Sequence, residues 1–196
     1  MANPIDEVMN WLVLSSSNVP PNLETPRQPV QPSQQYTYDL YNRTEKEALK
    51  YGERTWGINL VWGDPSTSDN VRFVRASGQT GPLVSDELIA FGVRNGAGFV
   101  KYQVRDTGIN LAWSSTPVFE WKLVLPQANQ AIQTGTPVGL FNMVEKDFLF
   151  YDPRSYGINL KWLRDKGKYN EPWYRSIADV VIGNVPYGDL VRRLSS

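Results

Sequence analysis

Three kinds of polar side chain return at one spacing in this chain. Tyr51, Arg54 and Asn59 recur as Tyr102, Arg105 and Asn110, and again as Tyr151, Arg154 and Asn159. Arg offers a rigid fork of donors, Asn an amide that donates and accepts, and Tyr a phenol on a flat ring. Such a set can hold a hydroxylated ligand. It can equally satisfy the carbonyls of a tight turn, and recurrence favours that bland use, because equivalent positions face one packing problem. The positions that the copies do not share are more informative. Directly before Gly57, Gly108 and Gly157 stand Trp56, Thr107 and Tyr156. A large aromatic in a tight turn is hard to bury. Its face can stack on a sugar ring or a partner side chain, or pack on a neighbouring loop. The expected ligand-binding set is therefore Asn42, Arg54 and Trp56 in the first copy, and Asn142, Arg154 and Tyr156 in the third. The second copy has Val93 and Thr107 at the matching places, the paired loss that a vanished site would leave.

Composition narrows the chemistry further. There is no Cys and no His, which excludes disulfides, thiol nucleophiles, histidine-based catalysis and the usual zinc or copper sites. No acidic residue recurs in all three copies, and no pair can be placed at the separation that glycoside hydrolysis needs. The expectation is a protein that is not an enzyme, with no cofactor and no metal. A formal net charge of zero, without a basic cluster, argues against nucleic acid. The start has no positive n-region and no apolar run of signal-peptide length, and no segment is long enough to span a bilayer. A cytoplasmic location, or release by a route other than a signal peptide, is the corresponding expectation.

The elements that carry these residues follow from a repeat. Gly-Ile-Asn-Leu-x-Trp occurs at Gly57–Trp62, Gly108–Trp113 and Gly157–Trp162, and the match runs back without a gap to Tyr38, Ile89 and Val138. A period of roughly fifty residues is that of one supersecondary unit. Alternation puts Ile58, Leu60 and Trp62 on one face of a strand and Asn59 and Val61 on the other. The signature tryptophans therefore read as core. Each copy reads as four short strands, the last carrying Phe73, Trp121 or Tyr174, so the fold class is all-β. Before the repeats, residues 3–14 are predicted to form an amphipathic helix. Asn3 can cap it, Pro4 suits its first position, and Ile5, Val8, Met9 and Leu12 make one apolar stripe. Residues 15–35 read as a Pro-rich linker, either an arm wrapping the domain or a disordered spacer, with few backbone hydrogen bonds expected to the rest. The tail, Ile177–Leu194, is predicted to supply closing strands, with 192–196 frayed. The domain division is 1–35 for helix and arm and 36–196 for the repeats, at about 36–80, 81–133 and 134–185.

Twelve strands in three four-strand units, each with an aromatic signature strand, resemble a β-trefoil. That resemblance covers residues 36 to about 180. It implies a six-stranded barrel capped by three hairpins, with Leu49, Val100 and Leu149 in the core. The Gln-x-Trp pattern of the ricin-B-like lectins is replaced here by Asn-Leu-x-Trp, and that family's cysteines are absent. The resemblance is thus to the superfamily and not to that family. Trefoils include lectins, toxin components, protease inhibitors, cytokines and actin-bundling proteins, and fold does not choose among them.

The leading functional expectation is a lectin-like module that binds a glycan or glycoprotein, such as the receptor-binding part of a toxin or defence protein. Weak contacts multiplied over several sites would supply avidity. The alternatives are a trefoil-type protease inhibitor using an asymmetric loop, Gly63–Asn70 or Pro126–Gly135, and a scaffold whose N-terminal helix binds a protein partner.

Overall fold

Alternating apolar residues in the repeated block set most of the strands. The computed structural model describes residues 8–15, 26–65, 70–96, 98–164, 181–182 and 185–195. The first copy supplies β2 (Tyr38–Asn42), β3 (Glu47–Tyr51), β4 (Leu60–Gly63) and β5 (Val71–Arg75). The second supplies β6 (Ile89–Val93), β7 (Phe99–Tyr102), β8 (Leu111–Ser114) and β9 (Trp121–Val124). The third supplies β10 (Pro137–Asn142), β11 (Asp147–Tyr151) and β12 (Leu160–Trp162). One strand precedes them all, β1 (Trp11–Ser15), which runs antiparallel between β2 and β10.

The pairings β1·β2, β2·β5, β5·β6, β6·β9, β9·β10 and β10·β1 close on themselves. The result is an antiparallel six-stranded barrel. The hairpins β3/β4, β7/β8 and β11/β12 are extra strands continuing from β2, β6 and β10. Closure leaves the barrel wall without an edge.

This corrects the expected trefoil with an N-terminal helix. The barrel is not made of three consecutive four-strand units, because its sixth strand comes from the N-terminus. Val8–Asn10 lead in, and Trp11–Ser15 are extended rather than helical. Trp11, Leu12 and Val13 are all buried, which a one-sided helical stripe could not achieve. Five residue pairs join β1 to β2, from Trp11↔Asn42 to Ser15↔Tyr38. The indole Nε1 of Trp11 donates to Leu149 O at 2.8 Å, as Trp121 Nε1 donates to Val100 O at 2.8 Å. β1 therefore stands to the third copy as β9 stands to the second. Asn3, Pro4 and Ile5, and the strand expected around Tyr174, lie outside the described residues.

The arm and tail also differ from expectation. Over 28–33 the arm is bonded to the barrel, with Val30 N on Ile132 O, Leu83 N on Val30 O and Ser33 N on Phe73 O. Val30 is fully buried, which gives this Pro-rich stretch an anchor. In the tail, β13 (Val181–Ile182) and β14 (Val185–Pro186) pair with each other and, among the described residues, with no other strand. Next comes a helix, α1 (Tyr187–Ser195), with Asp189 in its first turn and Arg192 and Arg193 in its last, as the helix dipole favours. Leu190 and Leu194 pack with Phe141, Phe148 and Phe150 in a second apolar cluster, apart from the main barrel core. The main core holds Leu49, Val100 and Leu149, with Ile58, Ile109, Ile158, Leu60, Leu111 and Leu160 from the signature. Among the described residues no helix is long and apolar enough to cross a membrane.

Candidate functional site

The turn that opens each signature is built three times with the same bonds. Asn59 Oδ1 accepts from Arg54 N at 3.2 Å, Asn110 from Arg105 at 3.0 Å and Asn159 from Arg154 at 3.1 Å. Each Arg then uses its fork twice. Nη1 meets the carbonyl of Leu60, Leu111 or Leu160 in its own turn. Nη2 crosses to another turn: Arg54 to Gly157 O at 2.5 Å, Arg105 to Gly57 O at 3.3 Å, Arg154 to Gly108 O at 3.0 Å. The three turns thus form a closed ring. Inside it Gly57, Gly108 and Gly157 all hold positive φ, at 85°, 84° and 81°. A Cβ on Gly108 would lie 3.0 Å from Gly57 Cα, so the backbones nearly touch.

The recurrent tyrosines complete this frame in the opposite sense. Tyr51 packs on Trp113, Tyr102 on Trp162 and Tyr151 on Trp62, with ring centroids 5.9, 5.9 and 6.0 Å apart. A hydrogen bond with Glu45 raises the pKa of the Tyr151 phenol above its ordinary value, and burial adds to this. Of the signature tryptophans only Trp162 is fully buried, while Trp62 and Trp113 are half-buried. Tyr, Arg and Asn are therefore structural at all three positions, holding the copies to one another.

What the ring leaves outward is the residue before each glycine. Trp56 is 58% exposed and Tyr156 71%, whereas the third place is the small, exposed Thr107. Where Thr107 stands, a cleft of about 780 Å³ opens, within the range usual for small-ligand sites. Trp56, Thr107 and Tyr156 line it, together with Asp106, Asn110, Arg154, Lys161 and Trp162. Its cations are engaged. Arg154 donates to two carbonyls as above, and Lys161 Nζ lies 2.7 Å from Asp152 Oδ2. Asp106 has no hydrogen bond or ion pair among the described residues.

Of the residues singled out from sequence, Trp56, Arg154 and Tyr156 meet at this cleft, with Arg54 in the ring beside it. Asn42 and Asn142 do not. Both are fully buried and close the turns after β2 and β10, where Asn42 Oδ1 accepts from Thr44 N and Glu45 N, and Asn142 Oδ1 from Val144 N and Glu145 N. Asn42-Arg43-Thr44 has the form of a glycosylation sequon, and burial leaves it without an accessible amide. Asn42 and Trp56 stand at opposite ends of β3, roughly 16 Å of strand apart at 3.3 Å per residue. Val93 and Thr107 are likewise at opposite ends of β7, so their departures have separate causes. In the second copy the turn after β6 is made by Asn95 at φ 63° and Gly98 at φ 122°, which needs no buried Asn. Sequence reasoning did not single out Asp106 or Lys161. The signal for Asp106 was present, since its counterparts are the neutral Thr55 and Ser155.

Elsewhere, the second half of Pro126–Gly135 is tied down, Ile132 being buried and bonded to Leu83 and Val30. In Gly63–Asn70, residues 66–69 lie outside the described residues. Among the described residues no cluster of His, Cys, Asp or Glu could hold a metal ion. Comparison with protein-family models, curated proteins and solved structures gives no match. The chemistry of the cleft has to be read from its own geometry.

Proposed function

We propose that this chain is a non-catalytic binding module that recognises carbohydrate in the cleft beside Thr107. The observation that carries the reading is the pair of exposed rings, Trp56 and Tyr156, lining one cleft with a small residue at the third equivalent place. Sugar rings present flat C–H faces edged by hydroxyls, so they suit aromatic faces flanked by polar groups. Asp106 supplies such a group here, beside the Asn110 amide and the Lys161 ammonium, which are already bonded within the protein. Among the described residues the lining contains one carboxylate, Asp106, where glycoside hydrolysis uses two. That supports binding without turnover.

A glycan array with the wild type, Trp56→Ala and Tyr156→Ala tests this. Both side chains are exposed, so neither truncation should lower the melting temperature appreciably. Each should weaken the glycan found with the wild type by about 1–1.5 kcal/mol, close to tenfold in Kd. Absence of any glycan on the array, or binding indifferent to both substitutions, would refute the reading.

A further inference from the structure

Resting on the reading of the cleft as a carbohydrate site, we propose that its preferred sugars carry a protonated amine, as unacetylated amino sugars do. The argument begins with charge. Two cations line the cleft, yet Arg154 is bonded to Leu160 O and Gly108 O, and Lys161 is paired with Asp152. Asp106, exposed at the same cleft, has no such partner among the described residues. Among the described residues it is the lining charge left to a ligand.

The rings point the same way. Aromatic faces are the negative pole of the ring quadrupole and attract ammonium groups, most strongly at Trp. An exposed carboxylate in the cleft that the exposed Trp and Tyr also line adds a charge-assisted acceptor for the same N–H donors. An anionic sugar would instead meet Asp106 with like charge.

The repeats supply an independent reason. The pairs before the three glycines are Thr55-Trp56, Asp106-Thr107 and Ser155-Tyr156. The copy that lacks the ring is the copy that carries the carboxylate, and both departures face one cleft. Thr107 makes room where the third ring would stand, and Asp106 puts a negative charge beside that room.

The test is titration calorimetry with three probes: a glucosamine tetramer, its fully N-acetylated form, and a glucose tetramer of the same linkage. The pH is kept low enough for the glucosamine amines to be protonated. The wild type should prefer the amine form about tenfold over either neutral tetramer. Asp106→Asn should erase that preference by bringing the amine form down to the level of the neutral tetramers, and Trp56→Ala should weaken all three. Equal or better binding of the neutral tetramers, or a preference that survives Asp106→Asn, overturns the amine proposal but leaves the carbohydrate reading standing. Amine binding that Trp56→Ala leaves intact places the contact outside the cleft and also overturns it. If the array finds only acidic glycans, the proposal fails again, whereas an array with no glycan removes both readings together.

Discussion

Gly108→Ala isolates the contact on which the ring of turns depends. Three glycines in the ring have φ near 80°, so an alanine at any of them meets the left-handed penalty, about 1–2 kcal/mol. Gly78 shares positive φ at 66°, but a methyl added there would have nothing within 4 Å, so Gly78→Ala measures that penalty alone. At Gly108 the methyl would also lie 3.0 Å from Gly57 Cα and 3.8 Å from Gly57 N. Those are backbone atoms in a turn that Arg105 holds through Gly57 O, so they cannot swing aside as a side-chain end would. Overpacking of this kind adds about 1–3 kcal/mol. Gly57 is less crowded, its nearest contacts being 3.8 and 3.9 Å, and Gly157 is intermediate with its nearest at 3.6 Å. Contacts of 3.6 Å and beyond are ordinary van der Waals distances, so Gly108→Ala should be the most destabilising, with Gly157, Gly57 and Gly78 grouped below it. Urea unfolding of the four variants reads it. With a slope of about 2 kcal/mol per molar, Gly108→Ala should lower the midpoint by about 1–2.5 M. A Gly108→Ala midpoint no lower than that of Gly78→Ala would refute the close approach of the turns.

Two further outcomes test the packing elsewhere. Trp162→Ala should cost about 3–5 kcal/mol, because Trp162 is 1% exposed and stacks on Trp121 at 6.2 Å. The half-buried Trp113 should cost clearly less on the same denaturation curves, and equal losses would contradict the difference in burial. Lys122 reports on the docking of α1, since its Nζ donates to Leu194 O at 2.6 Å. Burial lowers its pKa below the ordinary value of 10.5, Asp86 opposing and Arg193 adding to the shift. The unfolded chain therefore holds this proton more tightly. Stability should rise with pH between the folded pKa and 10.5, and stay flat below that window. Urea midpoints of the wild type and Lys122→Met, taken from neutral to alkaline pH, should diverge in the wild type's favour; a constant gap would contradict the shift.

Much of this was legible where the information is local. Alternation placed Ile58 and Leu60 inward, and recurrence marked Tyr, Arg and Asn as parts of one repeated turn. The N-terminus was not legible, because its strand is set by a slot that β2 and β10 create from far along the chain. Ile5, Val8, Met9 and Leu12 match a helical period, yet the run Trp11-Leu12-Val13 is buried on both faces once it enters the barrel wall. Tertiary context overrode a weak local preference there. In the site, Trp56 and Tyr156 could be read as exposed turn aromatics. Their sharing one cleft could not, since it follows from how the copies are arranged about the glycine ring. Asn42 looked like a ligand anchor because an Asn that closes a buried turn and one that faces solvent look alike in sequence.

Thr107→Trp tests the central claim most directly. The variant restores the ring that the other two copies carry, at an exposed position where it need not disturb the fold. Two accounts of Thr107 then part. If it marks a vanished site, a third aromatic adds a sugar contact, and binding to the array glycan holds or improves. If it opens the cleft between Trp56 and Tyr156, the indole fills that cleft. Calorimetry with the array glycan should then show binding reduced about tenfold or more, the loss of one stacking contact or worse, with an unchanged melting temperature. Undiminished binding by a folded Thr107→Trp would contradict the cleft as the site.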